Sequence, residues 1–362
     1  MNKIRSNEHV TKAPAQPQPP ADMVKQSYKI DLSLNESPFP ASPKAIAAYK
    51  SAAETLNRYP NYTSANLRGV LGKKYNIDDK RIMCTAGSEQ ILSFIARAYI
   101  DEGDEVIFPK YGFMVYRFNI LMAGAVPVAI EQDDFVVNVD HILNAVTDKT
   151  RVVFLDNPGN PTGTYVPYAE IKRLRAELPQ HILLVLDAAY AEFATEEDYD
   201  SGLELVDQYE NVIVTRTLSK LYGMSGLRIG WSYGPEDIIN TLLHLKGGFN
   251  VAISAQVAGA AAVQDQQYAD MVRDHSRKWI AWLTHELRAL DLIVTPSVCN
   301  FILIHFPKGR SQMKDTDAYL KEHDINVGPV GMYGLDASLR ITVGTEEENK
   351  ALINALKDHL GN

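Results

Sequence analysis

Lys220 stands in the run Thr217-Leu218-Ser219-Lys220-Leu221-Tyr222-Gly223-Met224-Ser225-Gly226-Leu227-Arg228. The apolar, β-branched stretch 211–215 just before it reads as a buried strand. Two hydroxyls, Thr217 and Ser219, precede the lysine, and the guanidinium of Arg228 follows it. A lysine in apolar surroundings or beside another cation has a lowered pKa. It is then a free amine that can attack an aldehyde and afterwards relay a proton. Taken alone, a Ser-Lys pair reads as an ordinary surface lysine, and only the company of the other residues changes that. Upstream, Asp187 ends the strand-like 182–186, and Asn160 follows another such stretch in Asn157-Pro158-Gly159-Asn160-Pro161-Thr162-Gly163. An imine-forming lysine, an acid able to face a ring nitrogen and donors for a phosphate together point to pyridoxal phosphate.

Further residues fit that chemistry, each with a plainer reading beside it. Asp187 would keep a pyridine nitrogen protonated, so that the ring accepts electrons. The same residue would also serve as a helix N-cap. Tyr190, three residues on, can reach a phenolic oxygen of the cofactor, and Asn160 is a second donor to it; a half-buried aromatic and a tight turn are the alternatives. Gly87-Ser88-Glu89 opens a helix after a strand, where backbone N–H groups and the Ser88 hydroxyl form a phosphate cup or simply a cap. Thr217, Ser219 and Arg228 would complete the cup. Tyr111, in Pro109-Lys110-Tyr111-Gly112, can stack on the ring. Arg340 is a lone charge in an apolar strand and needs an acid, from a substrate or from a structural Asp or Glu.

The elements that must position these groups alternate along the chain. Helices are expected over 43–54, 67–75, 89–99 and 112–122. Strands are expected over 81–84, 105–108, 126–130, 152–155, 182–186, 212–215 and 228–233. Such alternation predicts an α/β fold with a mostly parallel sheet covered by helices on both faces. Ligands gather at the carboxyl ends of strands in such sheets, and Gly87-Ser88, Asn157 to Gly163, Asp187 and Thr217 to Lys220 all sit at such ends. Beyond 265 a long helix over 268–290, strands over 300–305 and 338–343 and a closing helix over 346–360 predict a smaller α+β unit. The expected division is a flexible Pro-rich arm over 1–29, a large domain over 45–264, and a small domain made of 30–44 and 265–362.

The chain has 362 residues, enough for two domains, and 46% hydrophobic with 22% charged residues is ordinary for a globular protein. A net charge of -9 argues against nucleic acid as a general partner. The two cysteines, Cys84 and Cys299, draw no disulfide framework, and the nine histidines show no ligand spacing, so no metal is expected. The polar N-terminus lacks a signal-peptide pattern and no stretch has membrane-spanning length, so a cytoplasmic location is expected.

The residues from about 30 to 360 resemble fold-type-I pyridoxal-phosphate enzymes of the class I/II aminotransferase superfamily, most nearly the histidinol-phosphate aminotransferases. The resemblance rests on Leu34-Asn35-Glu36-Ser37-Pro38, Arg58-Tyr59-Pro60, Asn160-Pro161-Thr162-Gly163, Asp187 with Tyr190, Thr217-Leu218-Ser219-Lys220, Gly226-Leu227-Arg228 and Leu339-Arg340-Ile341-Thr342-Val343-Gly344, in the family's order. It implies an amino donor and a 2-oxo acid as substrates and a homodimer with shared active sites. It also implies that Tyr59 reaches the neighbouring subunit's cofactor phosphate, and that Arg340 and Asn35 contact substrate. Two positions depart from the pattern. Ala188 replaces the usual acid after Asp187, and Gly328, in Val327-Gly328-Pro329, replaces an arginine that helps hold the substrate phosphate. One lost charge-assisted contact costs about 1.5 to 3 kcal/mol, so weak turnover of histidinol phosphate is expected, with Lys308 and Arg310 as the nearest compensating cations. Rival readings are a decarboxylase, eliminase-cyclase or oxidase on the same scaffold, and a non-catalytic regulator.

Overall fold

The computed structural model describes residues 28–361 and Val10. The arm expected over 1–29 lies almost wholly outside the described residues. In chain order the strands are β1 (Ile30–Leu32), β2 (Ile82–Thr85), β3 (Glu105–Pro109), β4 (Val126–Ile130), β5 (Gln132–Asp133), β6 (Val136–Val137), β7 (Thr150–Asp156), β8 (Leu183–Asp187), β9 (Val212–Thr217), β10 (Gly230–Tyr233), β11 (Ile293–Thr295), β12 (Phe301–His305), β13 (Ile325–Pro329) and β14 (Ser338–Thr342).

Seven of them form one sheet in the order β2-β10-β9-β8-β7-β3-β4. β10 runs antiparallel to both neighbours, and the other pairs are parallel. The central strands are apolar at almost every position because both faces are covered. Val153, Leu155, Leu184, Leu186, Val212 and Val214 point into one core, and Val152, Phe154, Leu183, Val185 and Ile213 point into the other. The first core is closed by helices Ala65–Tyr75, Tyr168–Glu177 and Ile253–Gln264. Helices Ser88–Tyr99, Val115–Met122 and Glu236–Leu245 close the second.

A second, five-stranded sheet has the order β1-β13-β14-β12-β11. Its core takes Leu32 from the start of the described chain together with Ile302, Ile304, Leu339 and Ile341, and the helices Gln266–Arg288 and Glu346–Leu360 pack on it. A capping box at Thr345 and Glu348 sets the start of the last helix. β11 and β13 were not expected from the sequence. β13 is short and ends in Gly328-Pro329, and its place between β1 and β14 makes it a strand.

Two expected boundaries move. The helix expected from 112 begins only at Val115, because Gly112 and Phe113 turn their N–H groups to Pro109 O and to Asp156. The strand expected from 228 begins at Gly230, because Arg228 is left-handed with φ 51°. Within the first core, Arg216 of β9 pairs with Glu192 at 2.8 Å, with side chains 4% and 8% exposed, and its guanidinium lies 4.9 Å from the Tyr75 ring centroid. Removing one partner strands a buried charge. Glu192→Leu should therefore destabilise the protein by about 3 to 5 kcal/mol, read as a lower midpoint of urea unfolding.

Candidate active site

The carboxyl ends of β2, β7, β8 and β9 converge with the amino end of β10 around a cavity of about 500 Å³. Asp187, the last residue of β8, forms part of its floor. The buried carboxylate accepts hydrogen bonds from Tyr116 OH at 3.0 Å and Thr215 Oγ1 at 2.9 Å. Burial pushes its pKa up, and the Thr215 and Tyr116 donors pull it back. Beside it in register, Asp156 ends β7 and is raised to about 7, chiefly by burial.

Lys220 follows the end of β9. Its half-buried Nζ donates to Leu34 O at 3.2 Å and lies 5.6 Å from the Tyr190 ring centroid. Burial first, and then the positive Arg340 nearby, lower its pKa to about 8. Tyr190 OH accepts from Asn35 Nδ2 at 2.8 Å. Arg340 enters from β14 of the second sheet, donating through Nη1 to Asn160 Oδ1 at 2.5 Å and through Nη2 to Ser33 O at 2.8 Å. Its buried Nε has no partner, and no ion pair joins it to a carboxylate among the described residues. The structural Asp or Glu weighed for it in the sequence is not there.

At the other end of the cavity, helix Ser88–Tyr99 points its uncapped N-terminus inward. Gly87 has φ 85°, and a Cβ there would come within 2.6 Å of Arg228 Nη2. At Gly230 a Cβ would meet Ser88 N, so only glycine lets β10 approach the helix start this closely. Thr217 Oγ1 donates to Ser219 Oγ, and Arg228 Nη1 donates to Ser225 O at 3.1 Å. The result is a cup of N–H groups, hydroxyls and a guanidinium, with Glu89 beside it in the first turn of the helix.

The sequence model for aminotransferase class I and II matches residues 27–356. This chain belongs to that family. It is 46% identical over 330 residues to the histidinol-phosphate aminotransferase of Rhodopseudomonas palustris strain BisB18, covering 91% of this chain and 90% of that protein. It is 44% identical to the namesake from Paramagnetospirillum magneticum, covering 92% of each. Among solved structures, the histidinol-phosphate aminotransferase from Sinorhizobium meliloti in complex with pyridoxal 5'-phosphate superposes with a TM-score of 0.92 at 24% identity, over 99% of this chain and 98% of that one. The aromatic aminotransferase from Pyrococcus horikoshii OT3 gives 0.80 at 24%, over 91% and 95%. These likenesses identify the fold as that of the fold-type-I aminotransferases, whose cofactor is pyridoxal phosphate.

The donor set of this aminotransferase fits that cofactor. A lowered-pKa amine, a buried carboxylate and a cationic cup line one cavity of suitable size. Of the residues singled out in the sequence, Asn35, Ser88, Glu89, Asn160, Asp187, Tyr190, Thr217, Ser219, Lys220, Arg228 and Arg340 all line it.

Tyr111 is not among the residues that line it. Its side chain packs on Phe135, with ring centroids 5.6 Å apart, and its N–H donates to Gln132. Phe113, just after the turn in which Gly112 N–H donates to Pro109 O, is among the lining residues. Tyr59 is 80% exposed, stacked on Phe249 and outside the cavity of its own chain. Five contributors were not found in the sequence: Phe113, Asp156, Tyr116, Thr215 and Tyr333. Asp156 carried a usable signal, being an acid at the end of an otherwise apolar strand.

The lowered pKa of Lys220 has a sign that can be checked. Between about pH 8 and 10.5 the unfolded chain binds more protons than the native apoprotein at this residue, so stability should rise with pH across that window. Lys220→Met should raise the thermal midpoint of the apoprotein near neutral pH, with the gain fading by about pH 10, as calorimetry across that range would show.

Proposed function

We propose that this aminotransferase transfers an amino group from a donor bearing one acidic group to a 2-oxo acid, with Lys220 as the imine-forming and proton-carrying residue. The observation that carries this reading is the shared cavity of Lys220 and Arg340. One is an amine titrating near 8, and the other is a guanidinium with no carboxylate partner. Pyridoxal phosphate, when bound, supplies an aldehyde and a ring that takes up the electron pair left by the departing α-proton. Lys220 accepts that proton and returns it. Asp187 offers a carboxylate to a ring N–H, and Tyr116 and Thr215 hold it in place. With its Oδ1 occupied by Arg340, Asn160 has its Nδ2 left to donate in the cavity that Tyr190 also lines. Ser88, Thr217, Ser219 and Arg228 would hold the phosphate, and Glu89 stands at the same helix start.

The same proposal makes the protein a cytoplasmic homodimer. The exposed Tyr59 and Phe249 support an interface in which Tyr59 reaches the second copy's phosphate. Two free, buried cysteines accord with a reducing compartment.

The relatives' names make histidinol phosphate the first donor to test, and Gly328 argues for a different preference. A Cβ at 328 would lie 3.6 Å from Arg340 Nη2, so this position faces the guanidinium and supplies no charge to it. Neither Lys308 nor Arg310 lines the cavity, and Arg310 stands 3.8 Å from Asp336 at the surface. Arg340 alone suits a carboxylate better than a doubly charged phosphate.

Donor alone should bleach the visible absorbance of the holoenzyme and a 2-oxo acid should restore it. Sustained turnover without the oxo acid would refute transamination, and borohydride reduction should add the cofactor's mass at Lys220 and nowhere else. Arg340→Ala should raise KM for the acidic donor about ten- to hundred-fold. Gly328→Arg should raise kcat/KM for histidinol phosphate about tenfold or more over a weak starting value, and efficient turnover by the unaltered protein would overturn the role given to Gly328.

A further inference from the structure

Asp156 is a second buried carboxylate at the floor of the site, with no ion pair to a cation among the described residues. It ends a strand whose preceding interior is Val152-Val153-Phe154-Leu155, where an apolar residue would be cheaper to bury. Its partners lie on two different loops. Asp156 Oδ2 accepts from Phe113 N at 3.2 Å, on the loop after β3, and from Asn160 N at 2.8 Å, on the loop after β7. Gly112 makes room for the carboxylate, since a Cβ there would lie 3.0 Å from Asp156 Oδ1 and 2.9 Å from Pro109 O. The two residues so tied have separate duties. The Phe113 side chain lines the cavity, and Asn160 Oδ1 receives Arg340 Nη1.

We propose that Asp156 is a positioning residue for this aminotransferase: its carboxylate clamps the Phe113 loop to the Asn160 loop and thereby sets where the Phe113 ring and the Arg340 guanidinium stand in the cavity. Both N–H groups go to the same oxygen, so the clamp needs an acceptor at that point and not a second negative charge. An amide oxygen can take its place and a methyl group cannot. The assignment of Arg340 to the substrate's acidic group is taken from the reading above, while the clamp itself is a property of the two loops.

The test compares the Asp156→Asn and Asp156→Ala holoenzymes with the unaltered one. Hydrogen exchange of segments 111–116 and 157–163, measured without substrate, should speed up about tenfold or more in D156A at both segments and stay near the original rate in D156N. Affinity for pyridoxal phosphate should fall in D156A and be recovered in D156N. KM for the acidic substrate should rise more than kcat falls in D156A, with rescue in D156N. Should D156A not fold, Gly112→Ala, which crowds the same carboxylate, should loosen the same two segments. The proposal is overturned if D156A leaves exchange unchanged, if only one of the two loops responds, or if D156N behaves like D156A, which would make charge the operative property. Exchange and cofactor affinity need no turnover, so they stand or fall separately from the transamination reading.

Discussion

A carboxylate held out of water at the end of β8 is the constraint on which the rest of the site depends. Asp187 is buried, and burial alone favours its neutral form. Tyr116 and Thr215 answer that cost with two hydroxyl donors, which requires helix Val115–Met122 on one side of the strand and β9 on the other. The donors stabilise the ion without neutralising it. A bound ring N–H can supply the missing positive charge in the low-dielectric floor, where such a contact is worth far more than in water.

Around that floor stand three cations that form no ion pair with a carboxylate among the described residues. Arg228 is met by a hydroxyl and a carbonyl, Arg340 by an amide and a carbonyl, and Lys220 by the Leu34 carbonyl. Repulsion from Arg340 and Arg228 adds to burial in lowering the lysine to about 8, against the opposing pull of Glu36. Gathering them is unfavourable on its own and is relieved by bound anions; in the reading proposed above these are a phosphate at the helix start and an acidic group at Arg340. Strain of this electrostatic kind is usual where binding and catalysis are prepared in advance.

The two sheets divide the work. The large sheet supplies the floor, the lysine and the helix-start cup. The smaller sheet supplies Arg340 from β14, and the turn after β1 brings Ser33, Leu34 and Asn35 over the opening. Asn300, just before β12, donates to Asn35 O and fixes that turn against the second sheet. Arg340 thus stands on a different sheet from Asp187 and the strand that leads into Lys220.

Much of this could be read without coordinates. Apolar runs ending in Asp187, Asn160 and Lys220 announce strands buried on both faces, because only a covered parallel sheet tolerates such continuous hydrophobicity. Chemistry at their carboxyl ends follows from the same topology. Which side chain of Tyr111-Gly112-Phe113 faces the cavity was beyond the sequence, since the choice turns on a backbone bend made around Asp156. The absence of an acid beside Arg340 and the joining of two loops by Asp156 were equally beyond it. Local residue patterns determine which groups lie at the ends of strands, because periodicity and turn chemistry act over a few residues. Only the packed structure decides which of those groups meet, because their partners stand tens to hundreds of residues away along the chain.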